Sequence, residues 1–287
     1  LKVSVKRADK KYPDTSTELG RKIAGFLEKH GIGLSVKENK NHLHVELLKT
    51  KALIYSEKKS GLGGLPVGCT GKVVTLLSGG IDSPVASYLL AKRGVRNVYV
   101  HFHPYKPGEE KLEKIENLVR SLKPYALSSR LYAVPFMPFT LAALSIDERM
   151  VLPVFRRFML RIAERIAHKE NAKGIGTGDN LAQVASQTLE NLAAIEAATV
   201  LPVLRPLLTY DKQEIIELAK RIGTYDLSLQ AYNDCCQSLV AKHPATKSES
   251  DHLARLEERL PADLIEKTLA ETKTIRVASE MTFLPPA

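Results

Sequence analysis

The chain has 287 residues, of which 44% are hydrophobic, and its formal net charge is +10. This length is enough for one large domain or for a medium domain beside a small one. The sequence contains no run of about 18 uncharged apolar residues and no apolar signal-peptide core near its start. Membrane insertion and secretion are therefore not expected, and the sequence predicts a cytoplasmic protein. The three cysteines, Cys69, Cys235 and Cys236, are an odd count that does not fit a disulfide framework.

The first 60 residues predict a small basic module with one helix and three strands. KVSVKR, HLHVEL and ALIYSEK have strand patterns, and Ser16 or Thr17 is expected to cap a helix from Glu18 to Lys29. This segment contains 14 Lys or Arg against 7 Asp or Glu, a net charge of +7. Such a concentration of charge favours a polyanion partner, with nucleic acid the first candidate and a solvated lysine-rich surface the alternative. Because the predicted core is thin, the module is expected to be incomplete at its N-terminus or to pack on the rest of the chain.

The stretch SGLGGLPVGCTG, rich in glycine, predicts a linker over residues 61–71. After it, apolar strands alternate with helical patterns: VVTLL, SPVASYLLAKRG, NVYVHFH, EEKLEKIENLVRSLK, SRLYAVPF, VFRRFMLRIAERIAHKENA and KGIGTG. This alternation predicts a parallel sheet that is covered by helices on both faces. Further along the chain, Asp211 and Glu214 have the spacing of a capping box that begins another helix.

The hexapeptide SGGIDS, residues 78–83, lies between the VVTLL strand and the helix after it. Gly79 and Gly80 allow the backbone to approach a phosphate, and Ser78 and Ser83 add hydroxyl donors at a helix N-terminus. Asp82 could position a Mg²⁺ ion on the phosphates. Since the lysine of the usual nucleotide loop is absent, the loop is expected to hold the leaving pyrophosphate during attack at the α-phosphorus, rather than to transfer the γ-phosphoryl group.

This hexapeptide resembles the SGGxDS signature of the PP-loop ATP pyrophosphatases. Four segments resemble successive blocks of the tRNA 4-thiouridine synthetases, in the same order. They are LPVGCTGKVVTLLSGGIDSPVASYLLAKRG, FRRFMLRIAERIA, GIGTGDNLAQVASQTLENL and LRPLLTYDKQEIIELAKRIGTYD. The segment VKRADKKYPDTSTELGRKIAG resembles the end of a THUMP domain. The resemblance covers nearly all of residues 1–250. It implies an α/β fold: a parallel-sheet PP-loop domain of the adenine nucleotide α-hydrolase type over residues 72–287, preceded by a small α+β THUMP-like RNA-binding domain over residues 1–60. The expectation for this first domain is that the sequence is a fragment that lacks its beginning or that the RNA-binding arm is reduced.

The resemblance also implies an activity. ATP would activate O4 of the uridine at position eight of tRNA with release of pyrophosphate, and persulfide or sulfide sulfur would then displace AMP. The implied cofactors are ATP and Mg²⁺, and the implied partners are tRNA and a cysteine desulfurase or separate sulfur carrier, because the rhodanese-like domain of many members has no counterpart in this chain. A role in thiamine thiazole synthesis is a further implication. No membrane partner is expected, and the oligomeric state stays open, with a homodimer as one option.

Matching by residue gives the implied site. The residues that would frame the adenosine and complete the ATP site, besides the loop itself, are Leu76, Leu77, His101, Phe102, Arg156, Gly178 and Gln187. From pattern alone the leucines fit a core strand, Arg156 fits a surface charge and Gly178 fits a turn. Asp82 is the expected catalytic group of the loop. In the DCC sequence, Cys236 is favoured over Cys235 as the thiol that closes a disulfide with the sulfur carrier, and two buried thiols are the alternative.

Gln183, Ser186, Gln187 and Asn191 recur at helical spacing, which predicts a polar stripe that is either solvated or buried against partners. Two rival functions remain open. One is another PP-loop enzyme that modifies tRNA or forms amides, and the other is a tRNA-binding protein without catalysis. The basic N-terminal module argues against the first, and the intact SGGIDS loop argues against the second.

Overall fold

A computed structural model describes residues 1–34, 41–106, 108–127, 130–233, 235, 239–242 and 244–277. The chain divides into two compact units, one over residues 1–62 and one that begins at Gly63. None of the helices in the described part of the chain combines the length and the apolarity that crossing a bilayer requires.

The first unit is one helix on a three-stranded sheet. Strand β1 (Lys2–Arg7) pairs in parallel with β2 (His42–Leu47), which pairs antiparallel with β3 (Ala52–Tyr55). Helix α1 (Ser16–Lys29) has no buried residue, and among the described residues of this unit Val45 alone is buried. Its core is therefore as thin as the sequence predicted.

The start of α1 differs from the prediction by one residue. The hydroxyl of Thr15 accepts a hydrogen bond from the Glu18 backbone N–H at 3.2 Å, and the Glu18 carboxylate accepts one from the Thr15 N–H at 2.7 Å. The cap is thus Thr15, and the prediction of Ser16 or Thr17 was wrong. Glu18 closes the capping box only with the residue three positions before it.

The second unit is built on a six-stranded sheet with helices on both faces. Its strands are β4 (Lys72–Leu76), β5 (Arg96–His103), β6 (Arg130–Pro135), β7 (Ile175–Gly176), β8 (Val203–Leu204) and β9 (Lys273–Arg276). Its described helices are α2 (Asp82–Lys92), α3 (Glu113–Ala126), α4 (Met137–Ala142), α5 (Glu148–Glu170), α6 (Leu189–Glu196), α7 (Lys212–Arg221), α8 (Tyr225–Leu229), α9 (Ser250–Glu257) and α10 (Leu264–Glu271).

The strand order is β8-β7-β4-β5-β6-β9, and all neighbours are parallel except the edge strand β9, which runs antiparallel to β6. From β4 the chain first builds the sheet toward β5 and β6, and then crosses to the other side of β4 to add β7 and β8. The loops after β4 and β7 therefore diverge to opposite sides of the sheet. Such a switch point, beyond the carboxyl ends of the strands, is where open α/β sheets bind ligands.

Both faces of this sheet are buried, as the continuous apolar strands predicted. Along β5, Val98, Val100 and Phe102 enter a core shared with α5, α6, α9 and α10, and Tyr99 enters a core shared with α2, α3 and α7. The predicted mostly parallel α/β fold is confirmed. The predicted capping box of α7 is also present, because the Glu214 carboxylate accepts from the Asp211 N–H at 2.8 Å and the Asp211 side chain accepts from the Glu214 backbone.

Candidate active site

A cavity of about 210 Å³ opens at the switch point. Its walls come from the ends of β4 and β5, the first turn of α2, the middle of α5 and the segments after β7 and β8. The predicted site residues among its lining are Leu76, Leu77, Ser78, Asp82, Ser83, His101, Phe102, Arg156, Gly178, Gln187 and Cys235. Gly79 and Gly80 lie in the loop between Ser78 and Asp82, and Cys236 lies outside the described residues.

Two serines organise the SGGIDS loop. The Ser83 hydroxyl accepts a hydrogen bond from the Ser78 backbone N–H at 2.8 Å and lies 3.0 Å from the Ser78 hydroxyl. The Ser78 hydroxyl in turn accepts from the Gly80 backbone N–H at 3.2 Å. These bonds tie the end of β4 to the first turn of α2, so the loop is already folded around the N-terminus of that helix. A helix N-terminus with exposed N–H groups favours an anion.

Asp82 forms an ion pair that the sequence analysis did not identify. Its Oδ1 lies 2.6 Å from Nζ of Lys212, the first residue of α7, and its Oδ2 accepts a hydrogen bond from Gln183 at 3.3 Å. The loop carboxylate is thus held between α7 and the segment after β7. Lys212 brings to this loop a cation that is absent from the loop's own sequence.

A buried charge cluster forms the opposite wall. Asp179 is paired with Arg156 from α5, and its Oδ2 lies 3.6 Å from Nε of Arg205 and accepts a hydrogen bond from Thr177 at 2.9 Å. Burial alone would raise the pKa of Asp179, but the two arginines and the Thr177 hydroxyl outweigh it and hold the pKa below its usual value. Asp179 is therefore ionised at neutral pH and fixes both guanidinium groups beside the cavity.

Gln187 has an acceptor available to a ligand. Its Nε2 donates to Asp179 at 3.4 Å, whereas its buried Oε1 has no hydrogen-bond partner among the residues that the structure describes. A buried amide oxygen without a donor is costly, so a ligand with an N–H group would be favoured at this position. The adenine 6-amino group is such a donor.

Gly178 lies against the backbone of the first turn of α2. A Cβ on this residue would come within 2.8 Å of the Ser83 nitrogen and 2.9 Å of the Ser83 Cα. These distances are closer than non-bonded atoms tolerate, and the backbone of a helix cannot easily yield. Glycine is therefore required for β7 to end this close to the SGGIDS loop.

The predicted polar stripe does not lie on one helix. Gln183 is in a loop, Ser186 and Gln187 belong to the 3₁₀ turn Ala185–Gln187, and Asn191 is in α6. Thr188 separates them, because its hydroxyl caps α6 by accepting from the Asn191 backbone N–H at 3.2 Å. The prediction of helical spacing was therefore wrong. The expectation that a buried member finds partners holds for Asn191, whose Nδ2 donates to Ala185 O at 2.7 Å and Ala245 O at 2.9 Å.

His101 connects the cavity to the segment before the cysteines. Its Nδ1 lies 2.8 Å from the Leu77 carbonyl oxygen and must be the donor, since a carbonyl only accepts. Its Nε2 lies 2.7 Å from the hydroxyl of Tyr232. Cys235 comes three residues later, buried and part of the cavity lining. The cysteine favoured from the sequence, Cys236, lies outside the described residues, so the choice within the pair stays a prediction.

Sequence reasoning missed Lys212, Asp179, Arg205 and Tyr232. Each lies in or beside a block that was recognised by resemblance, but no local pattern marks it as a site residue. In the described part of the chain, no group of three or more His, Cys, Asp or Glu side chains is placed to hold a metal ion.

The open parallel sheet and the SGGIDS loop at its switch point together define the class of PP-loop α/β proteins. Comparison with known proteins gives the family. The family model described as "Thiamine biosynthesis protein (ThiI)" matches residues 68–261. A protein of Moorella thermoacetica named "Probable tRNA sulfurtransferase" is 42% identical over 98% of this chain and 73% of its own length. A protein of the same name from Thermus thermophilus is 43% identical over 92% of this chain and 66% of its own length. The chain belongs to this family of tRNA sulfurtransferases.

Solved structures agree with the family assignment. The crystal structure of a 4-thiouridine synthetase in complex with RNA and bound ATP has a TM-score of 0.84 and 38% identity, covering 96% of this chain and 74% of that one. A Pyrococcus horikoshii structure matches with a TM-score of 0.56 and 22% identity over 77% of this chain and 65% of that one, which supports the fold alone.

Proposed function

We propose that the chain catalyses the ATP-dependent conversion of the uridine at position eight of tRNA to 4-thiouridine. The observation that carries the proposal is the SGGIDS loop, which lies at the switch point of a PP-loop fold and lines a cavity with the side chains expected for ATP. The relatives that share this arrangement are named for tRNA sulfurtransfer, and the similar solved structure holds both RNA and ATP.

The cavity suits ATP on two grounds. Apolar side chains of Leu160, Ile195 and Val203 line it together with the buried acceptor of Gln187, and both features suit an adenine ring with its exocyclic amine. The SGGIDS loop and the N-terminus of α2 offer backbone N–H groups to the phosphates. Roles for Leu76, Leu77, Phe102 and Gly178 in framing the nucleotide remain part of this proposal.

Mg²⁺ would enter with the nucleotide rather than occupy a site built by the protein alone. This ion is usually held by one or two carboxylates together with substrate phosphates. Asp82 is the carboxylate that would hold it, since it lies in the loop itself. When bound, the ion would neutralise charge that develops on the departing pyrophosphate.

Adenylation activates a poor leaving group. The uracil O4 attacks the α-phosphorus, the bond to the β-phosphate oxygen breaks, pyrophosphate leaves and the N3 proton passes to solvent or base. Lys212, already 2.6 Å from Asp82, supplies positive charge next to the phosphates during this step. We assign it an electrostatic role in the site together with Arg156.

Sulfur transfer completes the reaction. The terminal sulfur of a persulfide attacks C4 of the adenylated base, and AMP leaves with the former O4. A thiol of this chain then attacks the inner sulfur of the carrier, which releases the thiolated base and leaves the carrier and chain joined by a disulfide. Cys236 is the proposed thiol, with Cys235 the alternative. Free sulfide would need no such step, because it arrives fully reduced.

The first unit is the proposed RNA-binding module of the THUMP type. Its net charge of +7 is suited to the phosphate backbone of the tRNA. A cysteine desulfurase or a separate carrier is the proposed sulfur source, and the oligomeric state stays open, with a homodimer as one option. The family description also names thiamine biosynthesis, and delivery of sulfur to the thiazole precursor would use the same persulfide chemistry.

The test uses the purified chain with ATP, unmodified tRNA and sulfide, and then nucleoside analysis of the tRNA. We expect 4-thiouridine and an equal amount of AMP. Asp82→Asn should abolish AMP release while tRNA affinity stays unchanged, and Asp251→Asn, at an exposed position of α9, is the matched control. AMP without 4-thiouridine would indicate another PP-loop activity. Binding of tRNA with no AMP at all would indicate a non-catalytic protein.

A further inference from the structure

A second cavity, of about 320 Å³, lies beside the SGGIDS loop. It is bordered by the segment after β5, the start of α3 and residues 231–233. The residues that line it are Tyr105, Lys111, Glu113, Lys114, Ala231, Tyr232 and Asn233. Neither the ATP site nor the sulfur-transfer step described above uses this cavity.

Tyr232 lines the second cavity and separates it from the SGGIDS loop. A Cβ placed on Gly79 would lie 2.9 Å from Cδ1 of Tyr232, so the ring rests directly on the glycine of the loop. On the other side, the Tyr232 hydroxyl is 2.7 Å from Nε2 of His101, which lines the first cavity. The second cavity is therefore separated from the phosphate-binding loop by the thickness of one aromatic ring.

Lys114 fixes this wall. Its buried ammonium group donates to the carbonyl oxygens of Ser228 at 3.0 Å and Gln230 at 2.6 Å, and it lies 5.6 Å from the centre of the Tyr232 ring. It would also be 3.5 Å from a Cβ on Gly79. A buried lysine is expensive unless its charge is satisfied, and here the charge is placed beside both the loop and the second cavity.

The lining of the second cavity matches one class of ligand. Two tyrosine rings offer stacking surfaces, and Tyr105 is itself stacked on His103 with ring centres 5.8 Å apart. Asn233 offers both a donor and an acceptor, which a pyrimidine edge can use, and Lys111 is an exposed cation at the rim. Stacking on aromatic side chains combined with edge hydrogen bonds is how proteins hold single RNA bases that have left the helix stack.

We infer that this second cavity receives the target uracil of the tRNA, turned out of its stack, with Tyr105 as a stacking partner and Tyr232 as the wall facing ATP. The inference rests on the proposed function, and it names the place where the substrate base is held. The Tyr232 ring would then lie between the base in this cavity and the phosphate-binding loop. Contact between O4 and the α-phosphorus then requires the Tyr232 ring to turn away from Gly79 and its hydroxyl to leave His101.

The position of the cysteines agrees with this arrangement. Cys235 lies three residues after Tyr232 and lines the first cavity, so the chain that forms the wall also leads to the thiols. Movement of Tyr232 would thus occur in the same segment that must later accept the sulfur carrier. Base binding and sulfur transfer would share one structural element.

The decisive test uses the reaction product as a photochemical probe, because 4-thiouridine forms covalent adducts with residues that contact it under near-ultraviolet light. tRNA that carries 4-thiouridine at the target position is bound to the wild-type chain, irradiated, digested and analysed by mass spectrometry. We expect the adduct on Tyr105 or within residues 231–233. tRNA with the same base at a paired position of a helix is the control and should give no adduct there. An adduct confined to other residues, or none from RNA that is bound, overturns the inference.

Kinetics provide a second, independent measurement. Tyr105→Ala should raise the KM for tRNA by about 5- to 150-fold, the range that removal of one aromatic stacking partner typically gives. The KM for ATP should be unchanged, because Tyr105 does not line the first cavity. Tyr105→Phe keeps the ring and should behave as wild type. If Tyr105→Ala has the wild-type KM for tRNA, or if Phe fails as Ala does, stacking at this residue is refuted.

The two proposals fail differently. A wild-type chain that forms no 4-thiouridine refutes the proposed function and this inference with it. A chain that forms 4-thiouridine but places its adduct elsewhere leaves the function intact and refutes the second cavity alone. Asp82→Asn provides a further separation, since it should lose AMP release and still give the adduct.

Discussion

Replacing Gly178 by alanine tests whether the packing of β7 against α2 sets the geometry of the ATP site. The added methyl carbon would lie 2.8 Å from the Ser83 nitrogen, and ordinary contact begins at 3.4 Å, so these atoms must separate by about 0.6 Å. Ser83 is tied to Ser78 by hydrogen bonds of 2.8 and 3.0 Å, so the displacement would pass directly into the loop. The substitution is thus small in volume and large in consequence.

Overpacking of this kind usually costs about 1–3 kcal/mol. For a unit of this size that corresponds to a fall in Tm of roughly 2–12 °C. Misplacement of reacting groups by about 1 Å can cost about a hundredfold in rate, so we expect roughly a tenfold to hundredfold loss in tRNA-dependent AMP release. Differential scanning calorimetry measures the first effect, and AMP release in a single turnover measures the second.

Gly80→Ala is the matched control for stability, because in the described part of the chain its Cβ would meet only the Ser78 hydroxyl, at an ordinary 3.5 Å. This variant should keep the wild-type Tm. Calorimetric titration should nevertheless show weaker ATP binding, because the added methyl group lies where the loop backbone is expected to approach the phosphates. A Gly178→Ala protein with unchanged Tm and unchanged AMP release would show that the contact between β7 and α2 does not govern the site.

Charge and thiol chemistry give three further predictions. Asp179→Asn removes the buried carboxylate that pairs with Arg156 and Arg205, of which Arg205 keeps its second partner Glu196, and should lower the free energy of unfolding by about 3–5 kcal/mol near neutral pH. Because the pKa of Asp179 is lowered in the folded state, this stabilisation is complete above the unfolded pKa of about 4 and is lost as the pH falls through the folded pKa. The difference in free energy of unfolding between wild type and variant, measured by chemical denaturation, should therefore disappear in acid. Deletion of residues 1–62 removes a net charge of +7, so it should weaken tRNA binding and reduce the salt dependence of that binding, whereas ATP binding should survive. If the shortened chain binds tRNA as tightly as wild type across a salt series, this unit has no role in RNA binding. Cys236→Ser should still release AMP but make little 4-thiouridine from a persulfide donor over repeated turnovers, and free sulfide should restore the product. If Cys236→Ser keeps full activity and Cys235→Ser loses it, Cys235 is the thiol that acts.

The sequence was sufficient to predict the elements whose signals are local. The SGGIDS loop was expected between a buried strand and a helix, and it lies between β4 and α2. The capping box of α7 was likewise predicted from a spacing of three residues between Asp211 and Glu214. For α1 the cap was predicted without first identifying Glu18 as the acidic member of a capping box, and the predicted cap was wrong. A local pattern is reliable when both of its members are identified.

The sequence did not predict contacts between residues distant in the chain. Lys212 reaches Asp82 across 130 positions, and Asp179 collects Arg156 and Arg205 from 23 positions before it and 26 after it. No periodicity connects such positions, since the contacts depend on strand order. The edge strand β9 was missed for a similar reason: KTIR is four residues long and acquires its antiparallel direction only from the Tyr132↔Thr274 register with β6.

The strand order explains why this site is assembled as it is. Because β4 is the switch point, the loop after it receives β5 on one side and β7 on the other. From the β5 side come His101 and, beyond it, Tyr232 and the second cavity; from the β7 side come Gly178 and the Asp179 charge cluster. In the proposed arrangement, ATP and the target base reach the same glycine loop from different sides. Attack on the α-phosphorus additionally requires O4 to lie opposite the bond that breaks to release pyrophosphate. A nucleotide loop at the edge of the sheet would have only one such side, and the tRNA base would compete with ATP for it.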